Sequence, residues 1–258
     1  MVVSRGRVAV VTGASSGIGK QIAIALARQG YRIIGTGRNQ RRITEAEAEI
    51  RAASANGAVD LFSADLSLMA SAGAAAQRIG ELTDCVHLLF NNAGGMASEL
   101  VMTYEGLEAN FAGNHLGPFL LTNLLLPLLR AAAADAPEGT VRILNTSSDA
   151  SEMTPTINFS DMQNLASFNP GIAYCTGKLA NVLFARALAQ RLSDEGIVAH
   201  AVHPGAVDSN FFTYAPKDTQ ERVRNLAKAT EAEGADTLIW LATAEDGAAC
   251  NGAYWHQR

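Results

Sequence analysis

The run Thr12-Gly13-Ala14-Ser15-Ser16-Gly17-Ile18-Gly19 constrains this chain more than any other stretch. It follows directly on the strand-like Val8–Thr12. It opens a segment, Gly17–Gln29, that carries Ile18, Ile22, Ala25 and Leu26 at helical spacing. A glycine-rich turn between a strand and a helix lets the backbone reverse tightly and come close to a bound group. The helix start then offers free N–H groups and the favourable end of the dipole to an anion. The same alternation runs on through the chain. Strands are expected at Tyr31–Thr36, Val59–Ser63, Val86–Phe90, Val141–Asn145, Val198–Val202 and Ala253–Trp255. Helices are expected at Gln40–Ala53, Ser67–Leu82, Glu105–Arg130 (kinked near Pro118), Ile172–Ser193 and Glu231–Ala242, with Ala131–Ala136 read as a helix end and loop. Strands alternating with helices of this length imply right-handed crossovers. The expected fold is α/β, one doubly wound parallel sheet of about seven strands with helices on both faces. No linker or repeat divides the chain, so residues 1–258 read as one domain.

Charge and composition narrow the partners. A net charge of −5 over 258 residues argues against a nucleic-acid surface. The apolar stretch Leu116–Leu129 is interrupted by Pro118, Thr122, Asn123 and Pro127, and reads as a buried helix with no membrane span. Cys85, Cys175 and Cys250 are odd in number and widely spaced, which suits free thiols in a reducing, cytoplasmic setting.

Gly13, Gly17 and Gly19 are the candidate phosphate turn, and its context favours a dinucleotide. At the end of the second strand an NAD site often carries an acid for the ribose hydroxyl. Here the sequence is Gly35-Thr36-Gly37-Arg38-Asn39, with no acid and a guanidinium suited to a 2′-phosphate. NADP(H) is therefore the expected cofactor, against a plain solvated Arg38. Tyr174 and Lys178 lie four apart, on one helical face. A nearby ammonium favours an ionised phenol and brings it toward acid/base use. On its own such a pair is most often a surface pair. His200 and His203 are three apart on a strand, face opposite sides, and suggest no metal site.

Thr12–Gly19, Asn91-Asn92-Ala93-Gly94, Ser147-Ser148, Tyr174-Cys175-Thr176-Gly177-Lys178 and Pro204-Gly205-Ala206-Val207-Asp208-Ser209 occur in that order. Together they resemble the short-chain dehydrogenase/reductase family over essentially the whole chain. The runs Asn114–Asn123 and Ala173–Asn181 resemble its retinol-dehydrogenase-like branch. The resemblance implies a Rossmann-type domain. It implies Tyr174 as acid/base, Lys178 as its tuner and ribose ligand, Ser148 on the reacting oxygen and Asn114 holding a water toward Lys178. Ser147 competes with Ser148 for its role, and motif alignment favours Ser148. For the cofactor it implies Gly13, Ser15, Ser16, Gly17, Ile18 and Gly19 on the phosphates, with Arg38 and Asn39 at the adenosine ribose. It also implies Asp65 and Leu66 near the adenine, and Asn92, Ala93 and Gly94 along the ribose, with Asn91 beside them. Tyr174, Lys178, Pro204, Gly205, Val207 and Ser209 are implied around the nicotinamide. Two positions depart from the common pattern. Ser148 and Tyr174 stand 26 apart, a long gap that suits this branch, and position 177 is Gly where Ser or Ala is usual.

The expected function is hydride transfer between NADP(H) and a carbonyl or alcohol carbon of an apolar small molecule. The rival is a dinucleotide-binding sensor or scaffold that has lost catalysis. A homodimer or homotetramer is expected through the helices Glu105–Arg130 and Ile172–Ser193. Asp149–Pro170 and Phe211–Pro216 are expected to form a substrate lid.

Overall fold

The computed structural model describes residues 6–209, 211, 213, 215–224 and 227–257. In chain order these form β1 (Val8–Val11), α1 (Gly17–Arg28), β2 (Arg32–Gly37), α2 (Gln40–Ala53), β3 (Val59–Ser63), α3 (Met69–Leu82) and β4 (Leu88–Asn91). Next come α4 (Ala109–Phe111), a π-helical turn at Ala112–Leu116, α5 (Gly117–Asp135), β5 (Val141–Thr146), α6 (Pro170–Arg191) and β6 (Ile197–His203). The last elements are α7 (Lys217–Arg224), α8 (Glu231–Thr243), α9 (Asp246–Ala249) and β7 (Tyr254–His256). The seven strands make one sheet in the order β3-β2-β1-β4-β5-β6-β7, every pairing parallel.

The alternation of side chains along each strand sorts the core into two layers. Val8 and Val10 point to the side of α3, α5 and α6, where Ile79, Leu121, Leu125 and Leu188 pack. Ala9 and Val11 point to the side of α1, α2 and α8, meeting Ile22, Leu26, Ile43 and Leu238. Both faces are dry, which is why these strands read as near-continuous apolar runs instead of an alternating pattern. Strand order reverses between β1 and β4. Their carboxyl ends diverge there and leave the crevice in which open α/β sheets take ligands. The glycine-rich turn leaves β1, and Asn92–Gly94 leaves β4, at this point.

Boundaries differ from the sequence reading where side chains cap or break a helix. Asp65 Oδ1 accepts hydrogen bonds from Ser67 N (2.9 Å) and Ser67 Oγ (2.7 Å), a local turn that delays α3 to Met69. The expected kinked helix Glu105–Arg130 begins at Ala109 and has a π turn just before Pro118 in place of a kink. Pro118 lies in the first turn of α5, where its missing N–H costs least. The alanines at 131–134 extend α5 to Asp135, a high-propensity ending that replaces the expected loop. By length and composition Ala109–Asp135 is long and apolar enough to cross a membrane. The expectation of a buried helix holds on one side only: Leu121, Leu125 and Leu129 are buried, whereas Phe119 and Leu124 are exposed.

Candidate active site

The turn after β1 is shaped for close approach. Gly13 has φ +73°, a left-handed conformation that glycine adopts without strain. A Cβ on Gly19 would collide with the Gly13 carbonyl oxygen and stand 2.6 Å from Asn92 Nδ2. Ser16 begins α1 without a side-chain cap, and the first turn holds no acid. Its leading N–H groups and dipole are thus left for an external anion. Thr12, fully buried, ties this turn to the segment after β4. Its Oγ1 donates to Phe90 O (3.0 Å) and accepts from Asn92 N (2.9 Å) and Ala93 N (3.0 Å). The cradle that glycine leaves open and the uncapped helix start fit a dinucleotide pyrophosphate.

At the end of β2, Ser15 leans on Gly37; a Cβ there would stand 2.7 Å from Ser15 Cβ. Arg38 is exposed and makes no ion pair among the described residues. Asn39 caps α2 through Arg42 N (3.0 Å). Leu66 turns its side chain into the core. Asn91 departs from expectation. It is buried, and its Nδ2 donates to Thr122 Oγ1 (2.8 Å) and Asn145 Oδ1 (2.9 Å). It joins β4, α5 and β5, and does not line the crevice.

Tyr174 and Lys178 lie on α6, whose first turn starts at Pro170 and is capped by Asn169 Oδ1 on Ile172 N (3.0 Å). The Lys178 Nζ stands 5.6 Å from the centroid of the Tyr174 ring and donates to Thr146 O at 3.1 Å. The two serines after β5 part company. Ser147 is buried and donates to Lys178 O (2.8 Å). Ser148 is partly open and lies close enough to Tyr174 to bear on its phenol; its Oγ donates to Asp149 Oδ1 (2.8 Å) and accepts from Ala150 N (3.2 Å). Asn114, on the π turn, donates through Nδ2 to Gly95 O and Asn110 O (both 2.8 Å). Gly94 sits where Asn114 and Lys178 converge: a Cβ there would stand 2.7 Å from Asn114 Oδ1 and 3.6 Å from Lys178 Nζ.

Burial decides the electrostatics. It raises the Tyr174 phenol well above its ordinary value, and the neighbouring Ser148 hydroxyl, which pulls the other way, does not outweigh it. It pulls the Lys178 ammonium down to about 8, with no carboxylate among the described residues to offset it. In the free protein burial therefore works against the phenolate that the spacing of Tyr174 and Lys178 suggests. Both groups are driven toward neutral forms, and a neutral phenol is a proton donor.

Pro204–Ser209 follows β6 and is pinned to the strap before α8. Ala229 N donates to Ala206 O (2.8 Å) and Asp208 N to Ala229 O (2.9 Å). Val207 packs in beside Gly234 and Ile18. The Phe211 ring lies 5.5 Å from that of Tyr174; Phe212 and Tyr214 lie outside the described residues. The long insert after Ser148 is held at Ile157, buried against Phe111 and Ala180, and by Gln163 Oε1, which accepts from Glu108 N (2.7 Å). Met153 and Phe159 on the same insert are exposed.

The sequence model of the family described as short chain dehydrogenase matches residues 7–220. The chain belongs to this family. Retinol dehydrogenase 12 of Mus musculus is 39% identical to it over 252 residues, 97% of this chain and 77% of that protein. The Bos taurus protein of the same name is 41% identical over 210 residues, which is 81% of this chain and 64% of the bovine one, so that match spans under two thirds of its relative. These relatives set the chain in the retinol-dehydrogenase-like branch of the short-chain dehydrogenases. Among solved structures, the Pseudomonas aeruginosa RhlG/NADP active-site complex superposes with a TM-score of 0.77 at 28% identity, covering 98% of this chain and 95% of that one. A 3-ketoacyl-(acyl-carrier-protein) reductase from Brucella melitensis, complexed with NADH, shares the fold at 22% identity and a TM-score of 0.75, over 98% of this chain and 96% of that one.

Three residues that the structure brings to the candidate site carried no assignment from sequence: Thr12, Thr146 and Asn181. Thr12 and Asn181 stand inside the runs that carry the family resemblance. Thr146 acts through its backbone carbonyl, which no side-chain pattern signals.

Proposed function

We propose that this short-chain dehydrogenase moves a hydride between NADP(H) and a carbonyl or alcohol carbon of an apolar small molecule. The observation that carries the reading is the convergence of Tyr174, Ser148, Lys178 and Asn114 beside the glycine cradle. The dinucleotide, when bound, supplies or accepts the hydride. Gly13 to Gly19 seat its phosphates, with Ser15 and Arg38 favouring the 2′-phosphate over a free hydroxyl. Ser148 hydrogen-bonds the substrate oxygen and holds it against the phenol. Tyr174, protonated in the free protein, donates its proton to that oxygen in reduction and takes it back in oxidation. Lys178, poised near 8, exchanges protons at working pH. Phe211, whose ring lies beside that of Tyr174, offers apolar contact there, which supports an apolar substrate.

The sensor reading predicts cofactor binding without turnover, and the complete Tyr174, Lys178, Ser148 and Asn114 set speaks against it. The exposed Phe119 and Leu124 of α5 and Leu183 of α6 support a homo-oligomer built on these two helices. NADPH absorbance with a panel of ketones, aldehydes and alcohols tests the activity. Tyr174→Phe keeps the ring's packing and removes only the transferable proton. Turnover is expected to fall ~10²–10⁴-fold with cofactor binding intact. A variant that keeps a tenth of wild-type activity on its best substrate defeats the assignment.

A further inference from the structure

Asn181 is buried on α6, three residues past Lys178, and all of its polar side-chain contacts cross to other elements. Its Nδ2 donates to Asn114 O at 3.0 Å and, at the longer 3.4 Å, to Thr146 O. The Thr146 carbonyl also receives the Lys178 ammonium at 3.1 Å. On its other side Asn181 Oδ1 meets His115 Nδ1 at 3.0 Å. The two carbonyls accept only, so the amide nitrogen must face them. Oδ1 is then the acceptor, and His115 carries its proton on Nδ1. His115 is buried among Phe111, Phe119 and Phe184, and burial lowers its pKa, which keeps the ring neutral in that role.

The chain explains why Asn114 needs this partner. In an α-helix its carbonyl would accept from the N–H four residues on. That residue is Pro118, which has none. The π turn at Ala112–Leu116 and Pro118 interrupt the α-helical ladder here, and Asn181 Nδ2 supplies the Asn114 carbonyl with a donor from outside the helix. One carboxamide thus joins the end of β5, the π turn and α6.

We infer that Asn181 is a positioning residue: it holds the Asn114 backbone and shares the Thr146 carbonyl with Lys178, and so sets where the Lys178 amine sits beneath Tyr174. The inference rests on the active-site reading given above, and it adds a residue to which no role attaches from that reading. Among the described residues, the titratable groups facing Lys178 are Tyr174 on its own helix and His203 at the end of β6.

Two variants and two readouts test it. Asn181→Asp keeps the shape and the acceptor toward His115, loses both donors and brings a carboxylate toward Lys178. Asn181→Leu removes every hydrogen bond at similar volume. The first readout is the Lys178 titration in the free protein, followed by NMR of ε-carbon-labelled lysine and assigned with Lys178→Met. The wild-type midpoint is expected at about 8. It is expected to rise in Asn181→Leu, where the Thr146 carbonyl is left to the ammonium alone, and to rise by a pH unit or more in Asn181→Asp. The second readout is turnover with NADPH on the best carbonyl of the panel. There kcat is expected to drop tenfold or more in both variants, with KM and the NADPH dissociation constant within twofold. If Asn181→Leu does not fold, the near-isosteric Asn181→Asp decides. A folded variant whose Lys178 midpoint and kcat both match wild type overturns the inference and leaves Asn181 a packing residue. Should wild type reduce nothing in the panel while the midpoints still move, the proposed function fails and the positioning role stands.

Discussion

Replacing Gly177 by alanine is expected to stabilise the protein, and the same replacement at Gly19 to destabilise it. Both glycines are helical, so each gains ~0.8–1 kcal/mol of helix propensity on becoming alanine. The difference lies in what the new methyl meets. At Gly177 its nearest neighbour is Asn114 Cβ at 3.6 Å, an ordinary van der Waals contact that asks nothing to move. The propensity gain survives, and for a chain of this size ~1 kcal/mol lifts the melting temperature by about 2–4 °C. Because Asn114 stays in place, kcat is expected to remain within about twofold of wild type. At Gly19 the methyl meets the Gly13 carbonyl oxygen and, at 2.6 Å, Asn92 Nδ2. A backbone oxygen in a tight turn cannot retreat cheaply. Overpacking of this kind costs ~1–3 kcal/mol, which cancels or exceeds the helix gain and distorts the phosphate turn. Calorimetry on the two variants with an NADPH titration reads both effects. A lower melting temperature for Gly177→Ala, or unimpaired NADPH binding by Gly19→Ala, refutes this account of the two sites.

Arg38→Ala is expected to weaken NADPH roughly tenfold or more, the ~1.5–3 kcal/mol of a charge-assisted contact, and to leave NADH unchanged; equal binding of the two cofactors by wild type would discard the 2′-phosphate role. Lys178 holds its proton in the unfolded chain up to a pKa of ~10.4 and loses it near 8 when folded, so unfolding takes up a proton between those values and stability rises with pH there. Urea titrations at pH 7.5 and 9.5 are expected to show that rise in wild type and a smaller one in Lys178→Met; identical slopes would place the amine in water. Hydrogen exchange in 149–170 is expected to slow when NADPH and an apolar carbonyl bind together, most around the exposed Met153 and Phe159 and least at the anchored Ile157; exchange already slow without ligand would make the insert a fixed loop. Light scattering at micromolar concentration is expected to exceed the 27.1 kDa of one chain, and Leu124→Glu with Leu183→Glu to reduce it to that mass; a monomeric wild type removes the helix-pair interface.

Sequence alone determined the architecture and named most of the candidate site residues. The periodicity of β-branched runs and helical stripes is a local property. It survives whatever the distant chain does, and so the seven strands and the order of long helices were legible. The ordered motifs from Thr12 to Ser209 likewise name Tyr174, Lys178, Ser148 and Asn114. Tertiary structure alone decided what depends on burial and on partners far along the chain. It turned Asn91 inward to Thr122 and Asn145, committed Ser147 to the α6 backbone and left Ser148 open to Tyr174. It reversed the expected direction for the phenol, because desolvation is set by how many atoms surround a group and spacing on a helix carries no count of them. It also disclosed Asn181, whose partners Asn114, His115 and Thr146 lie 67, 66 and 35 residues away. A hydrogen bond to a carbonyl leaves no mark in the accepting residue's side chain, so only the folded chain brings that amide to the Asn114 oxygen.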